Sequence, residues 1–344
     1  MRIAIVGKFG TENFGLHIEE TFFQMGHSVV RVDPQVNFLQ YKIIGFNLRK
    51  IAKSFYINFL DKIPIVRRIK SRKIYKKIEQ ENLDLILVLH DFLSPEEVNQ
   101  IKERSSAPIS LWFPDHLANF QKSMFYLADY DYLFFKDRYS VVKLRDEMNL
   151  NAFYLPQCCN PNSHNRVELS ESDLKEYSCE ITNAGNLYPS RAALYKNLLK
   201  YDFKMWGGRA SSWLRIPELK HIIMGREVFN KDKCKAFSAA KIVLNNLHIG
   251  EIDGLNKRTF EIPACGGFQI VSLNNAVSKH FEIGKEIEVY SDLKDLKQKI
   301  DFYLDPKNED KRREIIEAGY IRTMKDHTYE VRLSEMLKVV FNEN

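Results

Sequence analysis

The strongest constraint in this sequence is an alternation of short apolar runs with amphipathic stretches, a rhythm that points to parallel β-α-β units. "RIAIVG" is an apolar run closed by Gly7, "LHIEETFFQMG" has helical spacing, and "HSVVRVD" is strand-like again. The rhythm returns after residue 80. "LDLILVLHD" predicts a buried strand, "SPEEVNQIKER" a helix with Ser94 as N-cap and Pro95 at its first position, and "PISLWFPD", "DYLFFKD" and "AFYLPQ" further strands. Such a series builds an α/β, doubly wound sheet.

A second series then starts afresh. "CEITNAG", "FKMWGG", "KIVLNN", "GFQIVS" and "EIEVYS" read as strands, "NKDKCKAFSAA" as a helix, and the chain from Asp292 onward as mostly charged amphipathic helix. Between the two series lies "PQCCNPNSHNRVELSES", rich in Pro, Asn and Ser and without periodicity, which suggests a linker. With 344 residues, 44% of them apolar, the chain can fill two cores. The expected organisation is a Rossmann-like domain over 1–160 with a basic insertion at 41–80, a second Rossmann-like domain over 173–328, and a terminal helix, 329–344, crossing back to the first. A cleft is expected between the two domains.

Charge is unevenly spread. Between Tyr41 and Lys77 stand twelve Lys or Arg against one acid, Asp61, a local balance of +11 in a chain whose total is +6. Interleaved with Phe46, Phe55, Tyr56, Phe59 and Ile65, this segment fits an anionic membrane surface or another polyanion, and equally a solvated helix packed on its own domain. No run of 18 apolar residues occurs, and the N-terminus has no uninterrupted apolar h-region, so a cytoplasmic protein is expected, with peripheral attachment to the inner membrane face open. Five cysteines without C-x-x-C or paired His spacing indicate reduced thiols and no metal site.

Among the motifs, "GKFGTENFG" (7–15) matches neither G-x-G-x-x-G nor G-x-x-x-x-G-K-[ST], and reads as a tight turn or a close approach to a ligand. Asp129-Tyr130-Asp131 has the D-x-D form of metal-dependent sugar transferases, but it lies between a helix end and a strand start and reads as structural. "GEIDGLNKRTFEIPACGGFQIV" (250–271) is more specific. Asp253 and Glu261 are eight residues apart, Glu261 opening a helix that leads into a buried strand. A carboxylate there can accept hydrogen bonds from the vicinal hydroxyls of a ribose, and one on the preceding loop can receive sugar hydroxyls.

"NKRTFEIPACGGFQIVS", with the C-terminal stretch that follows "FEIGKEIEVYS", resembles the spore-maturation CgeB-like glycosyltransferases within the wider group-1 GT-B transferases. "LWFPDHLANF", "YDYLFFKD" and "YLPQCCNPNSH" are similar to that family's N-terminal half. Asp253 stands where the wider group carries Glu. The resemblance implies a metal-independent transfer from a nucleotide-diphosphate sugar, a UDP-sugar before others, to a hydroxyl of a glycan, a lipid-linked acceptor or another polyanion, with nucleic acid left open. It implies that Glu261 holds the donor ribose and Asp253 faces the sugar. Charge on the diphosphate calls for cations and backbone donors, for which Arg258, Lys257, Arg191, Arg209, Gly185 and Asn186 are candidates. On the acceptor side, His90 with Asp91 and Asp115 with His116 follow buried strands, where open α/β sheets place ligands. Asp115 and His90 are the preferred pair, to take the acceptor proton or to steady the donor sugar. Two other readings share the pattern: a GT-B-type nucleotide-sugar epimerase, and a non-catalytic polyanion-binding protein on a transferase fold.

Overall fold

In the computed structural model, residues 1–10, 13–33, 64–117, 124–207 and 216–342 are described, without the side chains of 64–70. The first sheet has six strands, β1 (Arg2–Val6), β2 (Ser28–Val32), β3 (Leu85–Leu89), β4 (Ile109–Phe113), β5 (Tyr132–Phe135) and β6 (Ala152–Tyr154), in the order β2-β1-β3-β4-β5-β6. The pairings of β1 with β2 and β3, β3 with β4, and β4 with β5 are all parallel. β3 and β4 are buried along their whole length, which is why "LILVL" and "ISLWF" are continuous apolar runs rather than alternating ones. The helix Pro95–Lys102 begins as its sequence predicts: Ser94 and Glu97 form a reciprocal capping box, an arrangement worth about 1 kcal/mol.

The second sheet contains β7 (Cys179–Ala184), β8 (Phe203–Trp206), β9 (Ala240–Asn245), β10 (Gln269–Ser272) and β11 (Glu288–Tyr290), ordered β11-β10-β9-β7-β8 and parallel throughout. One face is filled by Ile181, Phe203, Ile242, Leu244, Ile270 and Ile300 with Tyr195 and Tyr303, and the other by Trp206, Phe237, Val243, Ile262 and Cys265. Both sheets thus run second-first-third from their own starting strands, and each changes direction between its first and third strand. That reversal opens a crevice at the carboxyl ends, the place where doubly wound sheets take ligands.

By contacts, one compact unit comprises Met1–Phe135, Val141–Phe153 and Val340–Asn342, and the other includes Lys136–Ser140 and Tyr154–Val339. The tract read as a linker belongs to the second unit, and its first part, 156–160 with His164, is packed there. Cys158, Cys159, Asn160 and His164 are buried, and Cys159 exchanges backbone hydrogen bonds with His327 and Tyr329 at 3.0 and 3.1 Å. The polar groups of the buried part find partners inside, as where Asn160 N–H donates to His164 Nδ1 at 3.2 Å. Of the terminal helix Tyr329–Phe341, only the last residues belong to the first unit, where the Tyr132 hydroxyl donates to the Val340 carbonyl. All five cysteines are buried free thiols. Among the described residues no helix is long and apolar enough to cross a membrane. Residues 41–63 of the basic insertion and Arg209 lie outside the described residues, and Pro64–Glu79 is helical.

Candidate functional site

At the crevice of the second sheet, β7 is followed by Gly185, whose φ of +137° suits glycine alone. A Cβ on Gly185 would stand 2.8 Å from Arg258 Nη1 and 3.3 Å from Arg191 Nη1, so two guanidinium groups converge on one stretch of backbone. Arg258 Nη1 donates to the Ala184 carbonyl at 2.7 Å and to Asn183 Oδ1 at 3.3 Å, and Arg191 Nη1 to the Asn186 carbonyl at 2.7 Å. Their partners are neutral: among the described residues, neither has a carboxylate within ion-pairing distance. Burial, followed by the nearby charge of Arg191, pushes Arg258 down to about 9. Two guanidinium groups thus lie together with only neutral hydrogen-bond partners, while the Glu261 carboxylate acts on Arg258 from beyond ion-pairing distance.

Arg258 opens the short helix Arg258–Ala264, and the sequence explains how a helix with an internal proline survives there. Pro263 cannot donate to Thr259, and the vacated Thr259 carbonyl is taken by the Gln269 side chain at 3.1 Å. At the start, Asn256 Oδ1 accepts the Thr259 N–H at 3.0 Å, and Asn245 ties Asn256, Thr259 and Gln269 together. Behind the helix, a Cβ on Gly267 would stand 3.1 Å from the Phe237 carbonyl, which accounts for the small-residue run.

One turn into this helix, Glu261 is 3% exposed in its side chain. Its carboxylate faces Lys257 at 2.9 Å, His164 Nε2 at 3.1 Å and Lys233 at 3.4 Å. Because His164 Nδ1 accepts the Asn160 N–H, the ring's proton is on Nε2, toward Glu261. Burial alone would raise the Glu261 carboxyl, but Lys233, Lys257 and His164 hold it well below its ordinary range. Lys257, a candidate for the diphosphate, is therefore paired with Glu261. His164 and Lys233 were not among the sequence candidates. His164 stands in "YLPQCCNPNSH", which carries part of the family resemblance and part of the expected linker but no assigned role, and nothing in "NKDKCKAF" sets Lys233 apart from its neighbouring lysines. Asp253, on the loop before the helix, is half-buried, and its two oxygens accept from Lys279 Nζ at 2.8 and 2.7 Å. Leu255 and Phe260, with Ala264, anchor this segment among buried apolar residues.

The crevice of the first sheet lies between β1 and β3. Lys8, Asn13, Phe14, Gly15, His90 and Phe92 line a pocket of about 190 Å³ there. A Cβ on Gly15 would lie 2.5 Å from the Lys8 carbonyl, so glycine is required by close packing of the loop onto the helix that follows. His90 has φ +62°, uncommon for a non-glycine residue and typical of strained functional positions. Its Nδ1 is 3.8 Å from Asp115 Oδ2, and its ring packs against Phe14 and Phe92. Burial lowers the His90 pKa, Asp115 opposes that and Lys8 adds to it; the net shift is downward, leaving the ring neutral at pH 7. Asp91, by contrast, is occupied in accepting the N–H groups of Met124 and Phe125 at 2.6 and 3.1 Å. Asp129 and Asp131 both pair with Lys102, at 2.9 and 2.8 Å. Among the described residues no group of three His, Cys, Asp or Glu side chains is placed to hold a metal ion.

Residues 190–338 match the model of a family described as glycosyl transferase-like. The whole chain is similar in structure to a glycosyltransferase from Rickettsia africae, at 12% identity over 100% of this chain and 99% of that one, with a TM-score of 0.67. HepE of Anabaena, solved in complex with UDP, matches at 11% identity over 99% and 100% with a TM-score of 0.65. Sucrose-phosphate synthase of Thermosynechococcus elongatus matches at 11% over the full length of both chains, with a TM-score of 0.67. No curated protein matches by sequence.

Proposed function

We propose that this chain, a glycosyltransferase of the GT-B fold, uses a UDP-sugar, with the donor held by the second unit and the acceptor side supplied by the first. The observation that carries this is the convergence of Arg191 and Arg258 on Gly185 without a carboxylate partner. A diphosphate there replaces repulsion between cations with charge-assisted hydrogen bonds, and gains most as the glycosidic bond breaks and negative charge collects on the leaving group. The Gly185 and Asn186 backbone supports the same anion, Glu261 takes the ribose, with Lys257 between it and the diphosphate, and Asp253 faces the sugar. Uridine is favoured because HepE was solved with UDP and with UDP-glucose, and the Escherichia coli trehalose-6-phosphate protein with UDP-2-fluoro glucose. The CgeB-like affiliation belongs to this proposal, resting on the residues of "NKRTFEIPACGGFQIVS".

The test is release of nucleoside diphosphate from UDP-, GDP-, ADP- and CDP-sugars; the proposal expects a UDP-sugar to be turned over, and turnover of none of the UDP-sugars would contradict it. With arginines placed to balance the diphosphate, turnover in EDTA should stay within about twofold of the untreated rate. A complete loss restored by Mn²⁺ would assign that charge to a metal instead.

On the acceptor side, neutral His90 can accept a hydrogen bond or a proton from the acceptor hydroxyl, and Asp115 steadies it. Either use ends when the ring is protonated. The acid limb of transfer should therefore lie below pH 6.5, the ordinary histidine value, because burial lowers the His90 pKa. Asp115→Asn removes the group that raises that pKa, so the limb should move to still lower pH while UDP affinity is unchanged. A limb that does not move in a rate-versus-pH profile would separate Asp115 from His90.

A further inference from the structure

The loop that carries Asp253 is held by a carboxylate of its own. Asp137 is 3% exposed and divides its two oxygens between two tasks. Oδ1 accepts the Ser140 N–H at 2.9 Å, capping the helix Arg138–Asp146. Oδ2 accepts two successive backbone N–H groups, Asp253 at 2.9 Å and Ile252 at 3.3 Å. The backbones are paired as well: Arg138 N–H donates to the Asp253 carbonyl at 3.1 Å, and Asp137 forms an antiparallel bridge with Gly254. Gly254 permits this closeness, since a Cβ there would lie 2.9 Å from the Lys136 carbonyl. Lys136 is ion-paired with Glu251, both 4% exposed, and Asn274 Nδ2 donates to the Glu251 carbonyl at 2.8 Å.

We propose that Asp137 is a positioning residue for sugar transfer: it fixes the backbone on both sides of the Asp253 carbonyl plane, so that the Asp253 carboxylate meets the donor sugar in one orientation. This rests on the reading of Asp253 as the acid facing the sugar. The cap alone does not need a carboxylate, because a serine at the same position satisfies the Ser140 N–H. The second oxygen, turned on Ile252 and Asp253, is what only an acid provides here: successive N–H groups are a small anion-binding concavity, and a neutral amide offers one acceptor where Asp137 offers two.

Asp137→Ser separates the two tasks, keeping the helix cap and releasing the loop. The test measures UDP affinity by calorimetry and UDP release from the UDP-sugar that the wild-type protein turns over fastest, with water as acceptor. Asp137→Ser should bind UDP within about twofold of wild type and lose roughly tenfold or more in kcat, because misplacing one reacting group by an ångström costs on that order or more. The decisive comparison is the double variant with Asp253→Asn, which should be no more than about twofold slower than Asp253→Asn alone, since a positioning residue has nothing left to position. Wild-type turnover in Asp137→Ser, or losses that multiply in the double variant, would overturn the proposal. Wild-type turnover in Asp253→Asn alone would instead remove Asp253 from the sugar. If Asp137→Ser does not fold, Asp137→Asn is subject to the same comparison, with the same outcomes deciding.

Discussion

Arg258→Ala should lower UDP-sugar turnover by about 10²- to 10³-fold while leaving the unfolding transition of the ligand-free protein nearly in place. Losing one preorganised donor to a developing oxyanion costs about that much in kcat, because its contribution grows as the leaving group gains charge. Stability behaves differently. Burial, and after it the charge of Arg191, pushes the Arg258 pKa below its ordinary value in the folded chain. A folded pKa below the unfolded one means that the charged form is disfavoured by folding, so at neutral pH this charge opposes stability. Removing the side chain gives up hydrogen bonds to Ala184 and Asn183 and removes that repulsion at the same time. The variant should also lose most of the stabilisation that UDP gives the wild type, a term of about 2.7 kcal/mol at one hundred times Kd. Thermal unfolding with and without UDP, beside turnover, checks both; collapse of the ligand-free protein would mark Arg258 as structural.

Glu261→Gln should produce the second large effect, and on a different quantity. Lys257, Lys233 and His164 all face this carboxylate in a buried setting. Gln leaves the two lysines without their counter-charge, a loss of about 3 kcal/mol or more. On the proposed reading, in which Glu261 takes the ribose, UDP affinity should fall as well, since a charge-assisted hydrogen bond becomes a neutral one. The pH dependence gives the signature. The Glu261 pKa is depressed well below 4.5, so its contribution is complete above the unfolded value of 4.5 and is lost as pH falls below it toward the folded value. The stability gap between wild type and Glu261→Gln should be widest above pH 4.5 and narrow below it. Denaturant titrations of the two proteins at pH 7 and in acid measure this; equal stability at pH 7 would mean that the three partners do not depend on the charge.

The strands and the short helix that carries Glu261 were legible because they are local. "LILVL" announces a strand buried on both faces, Ser94 with Glu97 announces a helix start, and "EIPACGG" announces close packing. What could not be read is what long-range contacts decide. His164 is 97 residues from Glu261, and only folding brings them to 3.1 Å. Pro-Asn-Ser composition gave no hint that Asn160 and His164 would be buried, because their polar groups find partners inside the protein. The convergence of Arg191 and Arg258 follows from the order in which the second sheet lines up its strands, which places the end of β7 beside β9. Asp137 was equally hidden: it looks like the cap of a following helix, and its second oxygen serves residues 115 and 116 positions away.

The central claim is that the crevice of the second sheet holds a nucleoside diphosphate between Arg191 and Arg258. Calorimetric titration of UDP and UMP into the wild type and into Arg258→Ala tests it most directly, since the two nucleotides differ by the β-phosphate that the second guanidinium is there to meet. UDP should bind the wild type at least about tenfold more tightly than UMP, in keeping with a charge-assisted contact of 1.5–3 kcal/mol, and Arg258→Ala should bring the two affinities close together. Equal affinities for UDP and UMP in the wild type, or an undiminished preference for UDP in Arg258→Ala, would contradict it.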